Sequence, residues 1–571
     1  MDGLRVHFEV FVRKIPGAPW TIDLATPDRA QALGHARELM AQGRIAAARV
    51  SKETFDEDSR EFDSVFILKL GSADTAAKSK PQAETNQPLC VTPQDLYTAH
   101  ARERVGRLLE DWLGRNNAMP FELLHRPDLI EKLEASGTDL QHAIQKISIP
   151  EAHARAMSVH EMIRTYQALI ERAVDRLMKD HRKGALPNID KEGFAAAARR
   201  LVAEPERSYL LGAGVAASIA PARSWGEKVT RLLDLADAAP ADGPGRGLAL
   251  STIQQPLAEI LETKPGMIDL LGKGDDLGAN LAAMTRLSAF KSVERLMKAE
   301  ASVGKVMPEL SDLAKRLAAW LSSEAFQDTR AAIGRRILRE LTGPRRLCPG
   351  DAAREIDVLR ALGMSLTAAA GKLLPLEEVQ NAFTVRSRML VTGDFVEAYL
   401  TDEMSALAEV EALVWLAENV IGQANKRQAA GWLKAVITAP RFEREMISGE
   451  DNPGARLVQL AGLHRGVGRC GLEEDDFKPL QEKLGDMGGD IEGRSKLTAN
   501  VARANAPLIQ RLTLLLKLAA GESAPAGPAT SRARSEALKL FKLDETRAEL
   551  AAEPEQMRQV RDLIQQAGLA A

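Results

Sequence analysis

The apolar pattern of this chain changes period once, and that change limits what it can fold into. From residue 4 to 14, Leu4, Val6, Phe8, Val10 and Val12 share one face, while Arg5, His7, Glu9 and Arg13 take the other. A period of two marks a half-buried strand. Pro16, Gly17 and Pro19 then break the chain, and residues 20–24 return as a second strand. Thr26-Pro27 predicts a helix start, since the hydroxyl caps and a first-turn proline loses no hydrogen bond. Ala30, Leu33, Ala36, Arg37 and Met40 form its stripe, and Gly43 ends it. Residues 45–55 and 62–70 read as two more strands around an acidic turn at 56–59. The sum is a ββαββ unit of roughly 70 residues, about the smallest size that folds alone. Its single helix covers one sheet face. Val65 and Ile67 point opposite to Phe66 and Leu68, so the last strand is apolar on both faces and its second face needs a cover, from this chain or a partner.

From Thr92 onward the period is helical and stays so. The expected fold class is therefore mainly α, with a small N-terminal ββαββ (α+β) module at 1–71 followed by a large multi-helix body. A polar linker spans 72–91. Helical region 1 spans 92–238, and the Gly- and Pro-rich 239–251 reads as an internal break. Helical region 2 spans 252–520, a second linker 521–532, and a helical tail 533–571. Helices are expected near 152–183, 191–203, 224–238, 253–262, 309–321, 326–341, 353–373, 402–422, 428–438 and 498–520. The clearest stripe is Leu310, Leu313, Ala314, Leu317 and Leu321. In 353–373, Ile356, Leu359, Gly363, Leu366 and Ala370 step by three and four, with small residues that admit a neighbouring helix. No repeat of 20–50 residues stands out.

Charge argues against several function classes. The chain has 571 residues, with 76 basic and 79 acidic side chains and a net charge of −3. Dedicated nucleic-acid binders show a basic excess, so no stable nucleic-acid binding is expected. The cysteines Cys90, Cys348 and Cys470 lack metal-ligand spacing, which fits a reducing compartment and excludes ribbon or finger zinc. The alternating N-terminus is no signal-peptide core, and no stretch approaches the ~20 apolar residues of a membrane span. A cytoplasmic, bacterial-type protein without integral membrane association is expected.

Candidate chemistry is sparse. Gly212-Ala213-Gly214 and Gly272-Lys273-Gly274 with Gly278 lack the strand-loop-helix context of a nucleotide loop and read as inter-helix turns. Six of nine histidines fall in one span, His100, His125, His142, His153, His160 and His181. Glu122 with His125, and Asp139 with His142, place a carboxylate and an imidazole one turn apart, as in a di-iron bundle. Pro120 and Pro127 bracket the first pair and leave no long helix to hold it, so surface or capping histidines are expected and no metal or cofactor is assigned. The densest cluster is basic. Arg330, Arg335, Arg336, Arg339, Arg345, Arg346 and Arg354 lie in one short stretch, where forked guanidinium groups suit phosphate or carboxylate. Arg335, Arg336, Arg339, Arg345 and Arg346 are the expected anion-binding set, against a bland alternative in which Glu340, Asp351, Glu355 and Asp357 pair the charge. Common hydrolase signatures are missing.

The sequence thus points away from an enzyme, toward an adaptor- or scaffold-like protein that binds protein partners through its N-terminal module and C-terminal tail. Trp20, Leu538 and Phe541 are the expected partner contacts. Two alternatives stand: a sensor of a phosphorylated small molecule or nucleotide second messenger using the arginines, and a metal-dependent helical enzyme using His125, His142, His153 or His160.

Overall fold

The computed structural model describes residues 6–14, 20–43, 45–56, 61–71, 89–552 and 554–569. Leu4, the Pro16–Pro19 break and linker residues 72–88 lie outside this set, as do the side chains of 54–66. The protein is mainly α-helical, with one four-stranded antiparallel sheet at its N-terminal end. Its strands β1 (Val6–Arg13), β2 (Thr21–Thr26), β3 (Ala47–Asp56) and β4 (Glu61–Gly71) lie in the order β2-β1-β3-β4, with the helix α1 (Arg29–Ala41) between β2 and β3 in sequence.

The alternation in β1 translates directly into packing. Phe8, Val10 and Val12 are buried against Ala48, Val50 and the α1 residues Ala32 and Ala36. The α1 cap differs from the expected one. Thr26 pairs with Phe8 as the last strand residue, so its backbone is committed to β2. Asp28 caps instead, its Oδ1 accepting from the Ala30 N–H at 2.8 Å. Two bulges adjust the sheet. Asp23 is extra between Ile22 and Leu24 of β2, and Ile67 is extra between Phe66 and Leu68 of β4. The second bulge lets the consecutive Ile67 and Leu68 both pack toward the module core.

The chain divides into two units, one comprising residues 1–93 and 137–172, the other 94–136 and 173–571. Within the second, a continuous buried core runs from Met119 and Phe121 through Leu250 and Ile356 to Leu484. The two expected helical regions share it. The stretch read as an internal break is the start of the helix Gly243–Glu262, with Pro244 in the first turn and no partner lost there. Gly245 faces Arg199, where an added Cβ would lie 3.3 Å from Cγ, so a residue that weakens a helix locally here permits close packing. The expected helix at 498–520 is two, Leu497–Arg503 and Leu508–Ala519, parted before Pro507.

A smaller core joins Leu508–Ala519 to the helices Pro528–Phe541, Asp544–Ala552 and Pro554–Gln566 through Leu512, Leu515, Leu540, Leu550, Val560 and Leu563. The preceding segment is seated on the helix Glu474–Ser495. A Cβ at Gly485 would come within 2.2 Å of the Ala526 carbonyl, and one at Gly489 within 2.9 Å of Pro528. Residues 525–528 therefore pack as structure where a linker was expected. Among the described residues, no helix is long and apolar enough to cross a membrane.

Candidate functional site

Strand alternation sends Phe11, Arg13 and Arg49 to the sheet face opposite α1. Phe11 pairs with Arg49 across β1 and β3, and with Ile22 across β1 and β2. Trp20, immediately before β2, receives two guanidinium groups. The Arg13 and Arg49 Cζ atoms each lie 4.5 Å from its ring, and Arg49 also lies 4.9 Å from Phe11. Such contacts contribute ~0.5–1 kcal/mol each at exposed sites and fix the guanidinium plane against the ring. Trp20 is thereby half-buried, where the sequence suggested an exposed contact. Ile22, from the same face, is 57 % exposed, a high value for a branched apolar residue within a sheet. This aromatic and cationic face with an apolar edge is the candidate interface.

The arginine cluster is distributed among internal partners. Arg336 donates from Nη1 to the carbonyls of Leu261 at 2.6 Å and Thr263 at 3.3 Å, closing the end of the helix Gly243–Glu262. Arg345 pairs with Glu340 at 2.5 Å, and Arg346 with Glu355 at 2.9 Å while lying over Phe395. Glu355 is buried and also accepts from the Leu347 N–H at 3.1 Å. Arg335 and Arg339 are exposed on the helix Gln327–Thr342. Burial raises the Glu262 carboxyl, and the positive charges of Arg335, Arg336 and Arg339 oppose that shift without overcoming it. Arg345 and Arg346 are thus engaged by carboxylates of the protein itself and Arg336 by backbone carbonyls, whereas Arg335 and Arg339 stay exposed on the helix surface.

Arg386 completes this region and was not anticipated. Fully buried, it donates from Nε to the Leu341 carbonyl at 2.6 Å, from Nη1 to Arg345 at 2.7 Å, and from Nη2 to Glu340 at 2.9 Å and Gly343 at 3.0 Å. It satisfies the carbonyls that every helix leaves open at its C-terminus. Its sequence context, an arginine on an otherwise apolar helical face, was the available signal.

The histidines do not assemble. His142, His153 and His160 are exposed, whereas His125 is buried. His125 donates from Nδ1 to the Phe121 carbonyl at 2.7 Å, and Gly212 faces its Nε2, where a Cβ would stand 2.5 Å away. Phe121, Tyr97 and Tyr209 surround the ring, and burial lowers its pKa to about 4. Glu122, the carboxylate of the alternative metal reading, accepts from the buried Lys228 at 2.6 Å and from Arg126 at 2.8 Å. Among the described residues, no group of three or more His, Cys, Asp or Glu is placed to hold a metal. Gly212 and Gly214 lie inside the helix Arg207–Ile219 as close-packing positions, a correction to their reading as a turn.

A second carboxylate, Glu259, sits beside this group. It accepts from the Phe121 N–H at 2.8 Å and from Arg102 Nε at 2.7 Å, and burial pushes it up to about 7 despite the guanidinium. The Glu122 and Glu259 carboxylates thus accept from the Met119 and Phe121 N–H groups on either side of Pro120, at the start of the short helix Pro120–His125. Cys348 and Cys470 are buried thiols pushed up to about 12 and 11, far from the thiolate form that reacts.

In the tail, Leu538 is 38 % exposed, whereas Phe541 packs against the C-terminal core. The expected shared docking face is therefore split, with Phe541 on the side of the helix that carries the buried Ala537 and Leu540. Comparison with known protein families, characterised proteins and solved structures found no match to this chain.

Proposed function

We propose that this chain is a non-catalytic, cytoplasmic interaction protein of the adaptor type, which holds a protein partner on the sheet face opposite α1. The observation that carries this reading is the arrangement of Arg13, Trp20 and Arg49 beside the exposed Ile22. Large aromatic and arginine side chains dominate the energetics of protein interfaces, and here stacking already restricts their rotamers, which lowers the ordering cost of binding. The helical body serves as the frame, with its buried charges committed to helix ends and internal ion pairs.

The test is affinity purification with the full chain and two variants, Ile22→Glu on the sheet face and Leu538→Glu on the tail. Partners that copurify with wild type and Leu538→Glu but are lost with Ile22→Glu support the reading. Capture unaffected by Ile22→Glu, in protein with an unchanged melting temperature, removes the sheet face from the function.

A further inference from the structure

The second, helical unit contains a cavity of about 500 Å³ between four consecutive helices, Gly393–Tyr399, Ala406–Asn419, Gln423–Ile437 and Pro440–Ser448. Its walls are apolar. Val396 and Leu400 line one side, Trp432 and Val436 another, and the fully buried Phe442 forms part of the base. The Trp432 ring is held in place, because its Nε1–H donates to the Val391 carbonyl at 3.0 Å. Glu445 fixes the start of the helix Ala406–Asn419 by accepting from the Ala406 and Leu407 N–H groups. These supports make the cavity a preformed feature of the fold.

The polar groups at the cavity are strongly biased in sign. Asp394, Glu397 and Glu409 contribute carboxylates, against the single guanidinium of Arg441. That guanidinium is already engaged, by Glu409 at 2.6 Å and by the Met404 carbonyl. Asp394 and Glu397 are exposed and make no ion pair with any described residue. An apolar cavity in the ~300–1,000 Å³ range fits a small molecule, and a few placed polar groups set its specificity. Here those groups select positive charge.

We infer that this cavity binds a small organic cation, an ammonium or guanidinium on an aromatic or branched aliphatic body. The body enters between Leu400, Trp432 and Val436, which keep accessible surface, and the charged head stays at the mouth with Asp394 and Glu397. The site is independent of the sheet face and of the arginines near Glu262.

Calorimetric titration of the full chain with 4-phenylbutylammonium and, separately, 4-phenylbutyrate tests the assignment. Wild type is expected to bind the ammonium at a single site, and the carboxylate at least about tenfold more weakly, with the preference shrinking as salt screens the mouth. Asp394→Asn/Glu397→Gln is expected to reduce ammonium affinity by about tenfold and to leave the carboxylate unimproved or slightly better bound. Ala435→Trp places a large side chain at an exposed lining position, and is expected to abolish binding without lowering the melting temperature. Equal binding of the two probes, titrations unchanged by Ala435→Trp, or no saturable binding of the ammonium would overturn the assignment. A helical peptide carrying phenylalanine one turn from lysine forms the third arm. Binding of that peptide without binding of the small cation would also overturn it, in favour of a protein-docking surface.

Discussion

The N-terminal module and the helical unit both concentrate arginine next to aromatic or apolar residues, yet they use it differently. In the module, Arg13 and Arg49 lie on Trp20 at the sheet face opposite α1, next to an exposed isoleucine. In the helical unit, Arg336 and Arg386 point at carbonyl oxygens where helices end, and Arg346 points at a buried glutamate. A run of arginines in a helical protein is therefore ambiguous until its helix ends are located. Each end leaves carbonyls that need donors, and a guanidinium supplies several at once. A strand pairs its own carbonyls with a neighbour, so an arginine on a sheet face is left for side chains or partners.

The sharpest way to break this contrast is at Arg386. Arg386→Met keeps the apolar stem but strips donors from the carbonyls of Glu340, Leu341, Gly343 and Arg345, and should cost about 3–5 kcal/mol. A fall in melting temperature of only a degree or two would show that the buried guanidinium is dispensable.

Two buried titratable groups give a prediction with opposite signs. His125 is held near pKa 4, below its ordinary 6.5, so the unfolded chain takes up its proton first and stability falls as pH drops from about 6.5 to 4. Glu259 is held near 7, above its ordinary 4.5, so the folded chain keeps its proton longer and stability falls as pH rises from about 4.5 to 7. Each effect is of order 3 kcal/mol at about 1.4 kcal/mol per unit, and the two largely cancel in the wild type. Melting temperatures between pH 4.5 and 7 should therefore slope downward with pH in His125→Gln and upward in Glu259→Gln. Parallel slopes in the two variants would refute the assignment.

Smaller effects follow on the other side of the comparison. Trp20→Ala removes two cation–π contacts and part of the module's cover, and should destabilise the module by about 1–2 kcal/mol, read from hydrogen exchange in β1 and β3. Arg335→Ala/Arg339→Ala should stay within about 0.5 kcal/mol, since both side chains are exposed. The same double variant also separates the sensor alternative. A thermal shift by a cyclic dinucleotide or polyphosphate that disappears in it would return the arginines to a ligand role.

The sequence made the module and the helical character readable because both rest on periodicity. Phe8, Val10 and Val12 fell under α1 as their alternation required. What misled was punctuation. The Gly- and Pro-rich 239–251 looks like a break, yet a first-turn proline and a close-packing Gly245 suit a helix start. Residues 525–528 look like a linker, but Gly485 and Gly489 on a distant helix make their seat. The site was only partly readable. Trp20 could be singled out as the tryptophan of the module, but its stacking on Arg13 and Arg49 depends on register across three strands. The partners of Arg336, Glu122 and Glu259 lie about 75, 106 and 157 positions away, beyond any local pattern.

The most direct test of the central claim is site-specific photocrosslinking in cells, with a benzophenone amino acid placed in turn at Ile22 and at the exposed Arg339. A discrete protein adduct is expected from Ile22 and none from Arg339. Adducts from Arg339 with none from Ile22 would contradict it, and would make the arginine helix, not the sheet face, the surface that meets a partner.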